Sequence, residues 1–207
     1  MSAKPLVRLT REESQARTRQ RLLDAARDQI VRRGVVSASI RTICEAAGYS
    51  QGAFYSNFPS KEAALLEVME AHMRDEAAAL ARIAEAKQCQ NIDGLLSAVG
   101  QWLKRAHGDK NWSMLAVELQ LHALRDAAFT EAFQRSRKAY LADFARSLLS
   151  LFRRLGREPP FDAMRIAAGF DALWRGFALQ GAEEEQGETD KVLLAFLRAL
   201  LVGSSGI

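Results

Sequence analysis

Residues 46–58 read AAGYSQGAFYSNF, and two incompatible structures fit those letters. Gly48-Tyr49-Ser50-Gln51-Gly52 matches G-x-S-x-G, the strained strand-to-helix turn that exposes a catalytic serine in α/β hydrolases. The same letters fit a glycine turn that enters a short helix capped by Ser50. The preceding residues separate the two. An elbow needs a buried strand there, whereas Ile43-Cys44-Glu45-Ala46-Ala47 has helical apolar spacing and good helix formers. A hydrolase with Ser50 as nucleophile stands as the weaker alternative: Asp93, His107 and His122 lie downstream, but no parallel-sheet pattern holds them.

Working outward, a helix from Ser39 to Ala47 has Ser39 as its cap and turns Ile40, Ile43 and Ala47 inward; Gly48 closes it, and Ser50 opens a third helix from Gln51 to Asn57. Two short helices joined this way have the geometry that lays the second across a DNA major groove. Gly48 supplies the left-handed backbone of the turn, while Gly52 and Ala53 are small enough for close approach to base edges and thymine methyls. Phe54 and Phe58, four apart, pack inward. Gln51, Tyr55, Ser56 and Asn57 are then left to face DNA with amide and hydroxyl groups. Upstream, a polar arm with Lys4, Arg8 and Arg11 leads into a helix from Glu12 to Arg33, with Leu22, Leu23, Ala26, Ile30 and Val31 on one stripe. Downstream, Pro59 and Ser60 break the chain before a long helix from Lys61 to about Lys87. Cys44, beside Ile43, reads as a small core residue.

The run SIRTICEAAGYSQGAFYSNFPSKEAALL, Ser39 to Leu66, resembles the N-terminal signature of TetR/AcrR-family transcriptional regulators. The resemblance covers roughly residues 16–70 and rests on the order and spacing of Gly34, Ser39, Arg41, Ala47-Gly48, Ser50, Gly52, Tyr55, Phe58, Lys61 and Glu62. It implies that Ser39 caps the second helix and touches phosphate, and that Arg41 reaches a base or the backbone. It also implies that Gln51, Gly52, Ala53 and Tyr55 meet bases or flanking backbone, and that Lys61 contacts phosphate. Asn57 stands where many relatives carry histidine, and Tyr49 where valine is commoner. By the same resemblance, residues 1–61 form the arm and helix-turn-helix domain and residues 62–207 a helical effector-binding and dimerisation domain. The implied function is a homodimeric regulator that binds a palindromic operator and is released by a small-molecule effector, repression being the family's usual direction.

Composition agrees with an all-α protein: four prolines in 207 residues, few β-branched runs, and long stretches of Ala, Leu, Arg and Glu. Two cysteines, Cys44 and Cys89, build no disulfide framework, and free thiols in a reducing compartment are the simpler expectation. With no apolar signal-like core near the start and no membrane-length apolar run, the expectation is a cytoplasmic protein without a membrane partner. The net charge of +4 is uneven: residues 1–61 carry 11 Lys+Arg against 5 Asp+Glu, or +6, leaving the rest at −2. Such asymmetry suits a polyanion-binding end on a near-neutral body.

Further helices are expected at 92–107, 112–124, 127–155, 161–181 and 190–202, separated by Gly108-Asp109, Asp126, Pro159-Pro160 and an acidic link at 183–187, with a frayed tail at 203–206. The helix from Trp112 is apolar on two faces and is expected to be central. Glu118 and His122 carry polarity into it as satisfied core groups, effector contacts or metal ligands, the last lacking any further Cys or His spacing. Trp102, Trp112, Phe129, Phe133, Tyr140, Phe170 and Trp174 are candidates for an apolar pocket or for plain core. Ile166, Phe170, Leu173 and Phe177, with Leu193, Phe196, Leu197, Leu200 and Leu201, form two stripes suited to a four-helix dimer interface or to intrachain core. No catalytic constellation, metal site or cofactor motif rises above chance, so neither an enzyme activity nor a cofactor is expected.

Overall fold

The computed structural model describes residues 10–35, 38–86, 91–106, 110–179 and 186–203. Lys4, Arg8, Cys89, the Gly108-Asp109 turn, Glu183–Glu185 and the tail from Ser204 lie outside them. Nine helices and no strand occur among the described residues. They are α1 (Arg11–Arg33), α2 (Ile40–Ala47), α3 (Gln51–Tyr55), α4 (Lys61–Glu85), α5 (Ile92–Ala106), α6 (Lys110–Ala123), α7 (Ala127–Arg154), α8 (Ala163–Leu179) and α9 (Gln186–Gly203). The chain divides into two compact units, residues 1–68 and 69–207, so the division falls inside α4 and not at its start.

In the first unit the helix ends are written in short polar residues. The Thr10 side chain accepts the Glu13 N–H at 3.2 Å while Glu13 accepts the Thr10 N–H at 2.7 Å, a reciprocal capping box that starts α1. Ser39 and Thr42 repeat the device at α2, Ser50 accepts the Ala53 N–H at 3.2 Å to start α3, and Ser60 accepts the Ala63 N–H at 3.0 Å to start α4. α2 ends at Gly48, φ 75° and ψ 32°, with the Tyr49 N–H donating to the Cys44 carbonyl at 3.0 Å and the Gly48 N–H to that of Glu45 at 3.4 Å. That pair of bonds is a Schellman motif. α1, α2 and α3 pack on one another around Leu22, Ala26, Ile30, Ile43, Phe54 and Phe58, all essentially without solvent. Val31, expected on the buried stripe, is 41% exposed: α1 buries Ala25 instead, and the stripe's far edge turns out to water.

The second unit is a helical body. Leu95 and Val99 of α5, Leu148, Leu151 and Phe152 of α7, Ile166 and Ala167 of α8, and Leu193, Leu197 and Leu201 of α9 share one core. α6 buries Trp112, Leu115, Val117, Leu119 and Ala123. It is not surrounded, however: Met114, Leu121 and Leu124 stand on its outer side, Leu124 at 74% exposure. Two apolar faces on one helix had suggested a central place, yet the chain supplies neighbours for only one. α8 starts late because Asp162 accepts the Arg165 N–H at 3.1 Å, capping the helix and leaving Phe161 ahead of it. α9 starts at Gln186, a turn before the expected Asp190, where buried Thr189 and Asp190 give that turn tertiary support.

Candidate functional site

The outward side of α3 comes directly from its inward side. Phe54 and Phe58 are held in the core with rings 5.3 Å apart, which leaves Gln51, Gly52, Tyr55 and Ser56 exposed, Tyr55 at 57%. Ala53 is half-buried beside them. A Cβ built on Gly52 would meet only Ser50 Oγ, at an ordinary 3.7 Å, so the fold itself does not demand a glycine there. Ser56 donates its hydroxyl to the Gly52 carbonyl at 2.9 Å. Asn57 departs from expectation. Its amide donates to the Ala53 carbonyl at 2.8 Å and its Oδ1 is buried without a hydrogen-bond partner, so the side chain curls back on its own helix and does not join the outward row.

Around this row lie the other expected contacts. Ser39 is exposed with its hydroxyl engaged as the α2 cap. Arg41, two residues on, is exposed and its Nε donates to Glu45 at 2.8 Å; that bond and the charge of Glu45 raise the guanidinium further above its ordinary value. An exposed pair of this kind contributes little and exchanges readily for another anion. Lys61, half-buried at the head of α4, has Nζ 4.0 Å from Glu62.

One residue that organises this face was not anticipated. Arg19 on α1 donates to the Asn57 carbonyl and to Glu67 of α4, and its guanidinium lies over the Phe58 ring, 4.2 Å from the centroid. It thereby fastens the end of α3 to two other helices of the same unit. The available signal was an arginine at position 19, in helical register with Leu22, Leu23, Ala26 and Ile30. Tyr49 also does more than pack: its phenol shares a hydrogen bond with Thr18 and is held below its ordinary value first by that bond, then by the nearby Arg21 and Arg17, against its loss of solvent.

The elbow alternative fails on this geometry. Ile40–Ala47 is helical, and no strand precedes Gly48 to strain the turn.

Residues 22–68 match the family described as "Bacterial regulatory proteins, tetR family". That match lies within the first unit. Among curated relatives, HTH-type transcriptional regulator UidR of Escherichia coli K12 is 31% identical over 110 residues, 53% of each chain. The matched stretch thus spans about half the length of these relatives. Solved structures share the fold over most of the chain. A putative transcriptional regulator from Rhodococcus sp. RHA1 gives a TM-score of 0.72 at 19% identity, covering 87% of this chain and 95% of its own. Reduced NemR of E. coli gives 0.64 at 20%, covering 88% and 96%. FadR of Bacillus subtilis, in complex with stearoyl-CoA, gives 0.59 at 19%, covering 91% and 98%.

The helical body encloses a cavity of about 110 Å³, walled by α4 to α9. Of the expected lining residues, Trp102, Trp112, Tyr140, Phe170 and Trp174 reach it. Glu118, His122 and Phe133 do not. His122 sits at the end of α6, its Nε2 3.5 Å from Asp126 and its ring edge-on to Phe129, while Phe133 is buried beside Phe129. Both belong to the α6–α7 corner, and Glu118 is half-buried on α6. No cluster of three metal-ligating side chains occurs among the described residues.

The cavity's polar groups come from positions that periodicity does not flag. His72 stacks on Trp112 with centroids 4.0 Å apart, Trp102 donates to Glu76 at 2.6 Å, and Trp174 donates to Ser113 at 2.9 Å. Asp171, buried on α8, accepts from Arg175 at 3.1 Å and from Arg137 at 3.2 Å. Loss of solvent, then the charge of Asp171, pushes the Tyr140 phenol well up.

A second, open groove of about 270 Å³ runs between α8 and α9, lined by Phe161, Ile166, Phe170, Leu173, Phe196 and Leu200 among others. The two expected dimer stripes divide here. Leu193 and Leu197 are buried in the core and reach the cavity, so they are not on the groove, and Phe177 packs against the core. Leu201 is likewise buried in the core, while Ile166, Phe170, Leu173, Phe196 and Leu200 face the groove, and Phe170 is common to both hollows.

Proposed function

We propose that this chain is a DNA-binding transcriptional regulator that acts as a homodimer, reads a twofold-symmetric operator through α3, and is released by a small molecule held in the helical body. The observation that carries the reading is the exposed row Gln51, Gly52, Tyr55 and Ser56, set on a helix whose entry turn is locked by Gly48. Gly52 strengthens it: a glycine the fold does not need suits a surface that a ligand must approach closely. In this reading Gln51, Ala53, Tyr55 and Ser56 meet base edges, while Ser39, Ser50, Arg41 and Lys61 serve the phosphates. Asn57 holds the helix and contributes no contact. One such helix reaches few base pairs, so a symmetric pair is needed for affinity and selectivity; the α8–α9 groove supplies an apolar face for it.

The cavity supports the effector half. FadR of B. subtilis holds stearoyl-CoA, but a cavity of about 110 Å³ suits a far smaller molecule. No described helix is long and apolar enough to cross a membrane, and the proposed DNA partner implies a cytoplasmic site of action. Repression is proposed as the direction of control, and no reaction is assigned.

The test is selection of bound fragments from genomic DNA, followed by binding of a selected and a random duplex across salt concentrations. Lys61→Ala is expected to weaken both and to lower the salt slope by about one. Gln51→Ala is expected to cost about 1–3 kcal/mol on the selected duplex and little on the random one. Equal losses on both would remove base reading from α3.

A further inference from the structure

The two carboxylates on the cavity wall are treated differently by the fold, and the difference narrows the chemistry of the molecule that fills it. Asp171 is held between two guanidinium groups, Arg137 and Arg175. Glu76, on α4, is met by the indole N–H of Trp102 at 2.6 Å, a neutral donor. Burial pushes its carboxyl above the ordinary range, with Asp75 adding to the rise; the Trp102 bond opposes it, and the charge of Arg105 on α5 opposes it least. Glu76 is half-buried, and a carboxylate short of water is stabilised when a cation joins it. Aromatic rings share the cavity wall with Glu76. The Trp102 and Trp174 rings lie 6.4 Å apart at 43°, and Tyr140 is close enough for the Glu76 charge to raise its phenol. Ring faces of this type attract cations and, unlike a lysine or arginine, leave the place beside the carboxylate for one.

We propose that the cavity takes a compact organic cation on an apolar or aromatic body, its ammonium head lodged against Glu76 and the faces of Trp102 and Trp174. This rests on the reading of the cavity as the effector site. An anion is disfavoured because Glu76 repels it and Arg175 is already engaged by Asp171 and the Ala116 carbonyl. A neutral molecule fills the space but leaves the carboxylate unmatched. At about 110 Å³ the space is on the scale of a single substituted ring, comparable with the roughly 150 Å³ apolar cavities that accept benzene.

The experiment uses the full chain and three probes of one shape: phenyltrimethylammonium, its neutral carbon analogue tert-butylbenzene, and benzenesulfonate. Binding is followed by quenching of intrinsic fluorescence, since all three tryptophans, Trp102, Trp112 and Trp174, line the cavity. Wild-type protein is expected to hold phenyltrimethylammonium at least tenfold more tightly than tert-butylbenzene and to ignore benzenesulfonate. Glu76→Gln keeps an oxygen for the Trp102 N–H, and is expected to lose the tenfold preference while binding tert-butylbenzene as before. Equal affinity of the wild type for the cation and its neutral analogue, or a preference that survives in Glu76→Gln, overturns the cation and leaves the cavity an apolar site. Silence of all three probes overturns the effector site itself. The wild-type comparison needs no substitution, so it stands even if the variant folds poorly.

Discussion

Replacing Gly48 with alanine isolates the backbone requirement of the turn between α2 and α3. The glycine has φ 75°, and a Cβ built there meets nothing within 4 Å, so the substitution adds no clash. What remains is the left-handed conformation, about 1–2 kcal/mol for a residue with a side chain, less the roughly 0.4–1 kcal/mol by which alanine restricts the unfolded chain. The expected loss is therefore about 1 kcal/mol, a roughly fivefold fall in the folded-to-unfolded ratio. Gly48→Asn should lose less, because asparagine tolerates this region. Gly176→Ala on α8 is the control: its Cβ also meets nothing, its φ is not positive, and it sits inside a helix. There the same exchange should stabilise by about 0.5–1 kcal/mol. Hydrogen exchange followed by mass spectrometry reads the two units separately. Peptides from residues 40–58 should exchange about fivefold faster in Gly48→Ala, and those from α8 more slowly in Gly176→Ala. Unchanged exchange in Gly48→Ala, or a larger loss for asparagine than for alanine, would refute the argument.

Two further outcomes are expected. Arg19→Met keeps apolar cover over Phe58 but loses the donors to Asn57 and Glu67; it should cost about 1–2 kcal/mol, a charged hydrogen bond discounted for partial exposure. It should also speed exchange in residues 51–58, and lysine should not restore protection because it lacks the planar fork. Normal protection in Arg19→Met would dismiss the clamp. Phe196→Asp, at a 49% exposed groove position, should convert two chains to one in light scattering coupled to size exclusion, whereas Leu121→Asp on α6 should leave the mass unchanged; the reverse result would move the proposed dimer face from α9 to α6.

The parts of this structure legible in the sequence are those decided within a few residues. Gly48, Ser39 and Ser50 state their roles locally, and the four-residue spacing of Phe54 and Phe58 fixes which side of α3 is inward. Asn57 was misplaced because helical phase puts it near the outward row, while the choice between facing water and curling back to the Ala53 carbonyl is made where α3 ends, at Tyr55 and not at Asn57. Arg19 acts across 38 residues on Asn57 and 48 on Glu67, a distance no local pattern spans. The body is harder still. α9 is apolar over most of its circumference, so nothing in its sequence chooses Leu193 and Leu197 for the core over Phe196 and Leu200. Glu76, Asp171 and Arg175 look like solvated charges until five other helices close around them.

As the proposed DNA-contact helix, the five residues of α3 keep no shape by themselves; their form is on loan from Phe54, Phe58 and Arg19 behind them. New target preferences must therefore arise among four outward positions, while changes at the three supports will mimic altered preference by tilting the whole row. A screen for switched operators should recover both kinds, and only hydrogen exchange would tell a respelled surface from a slackened hinge.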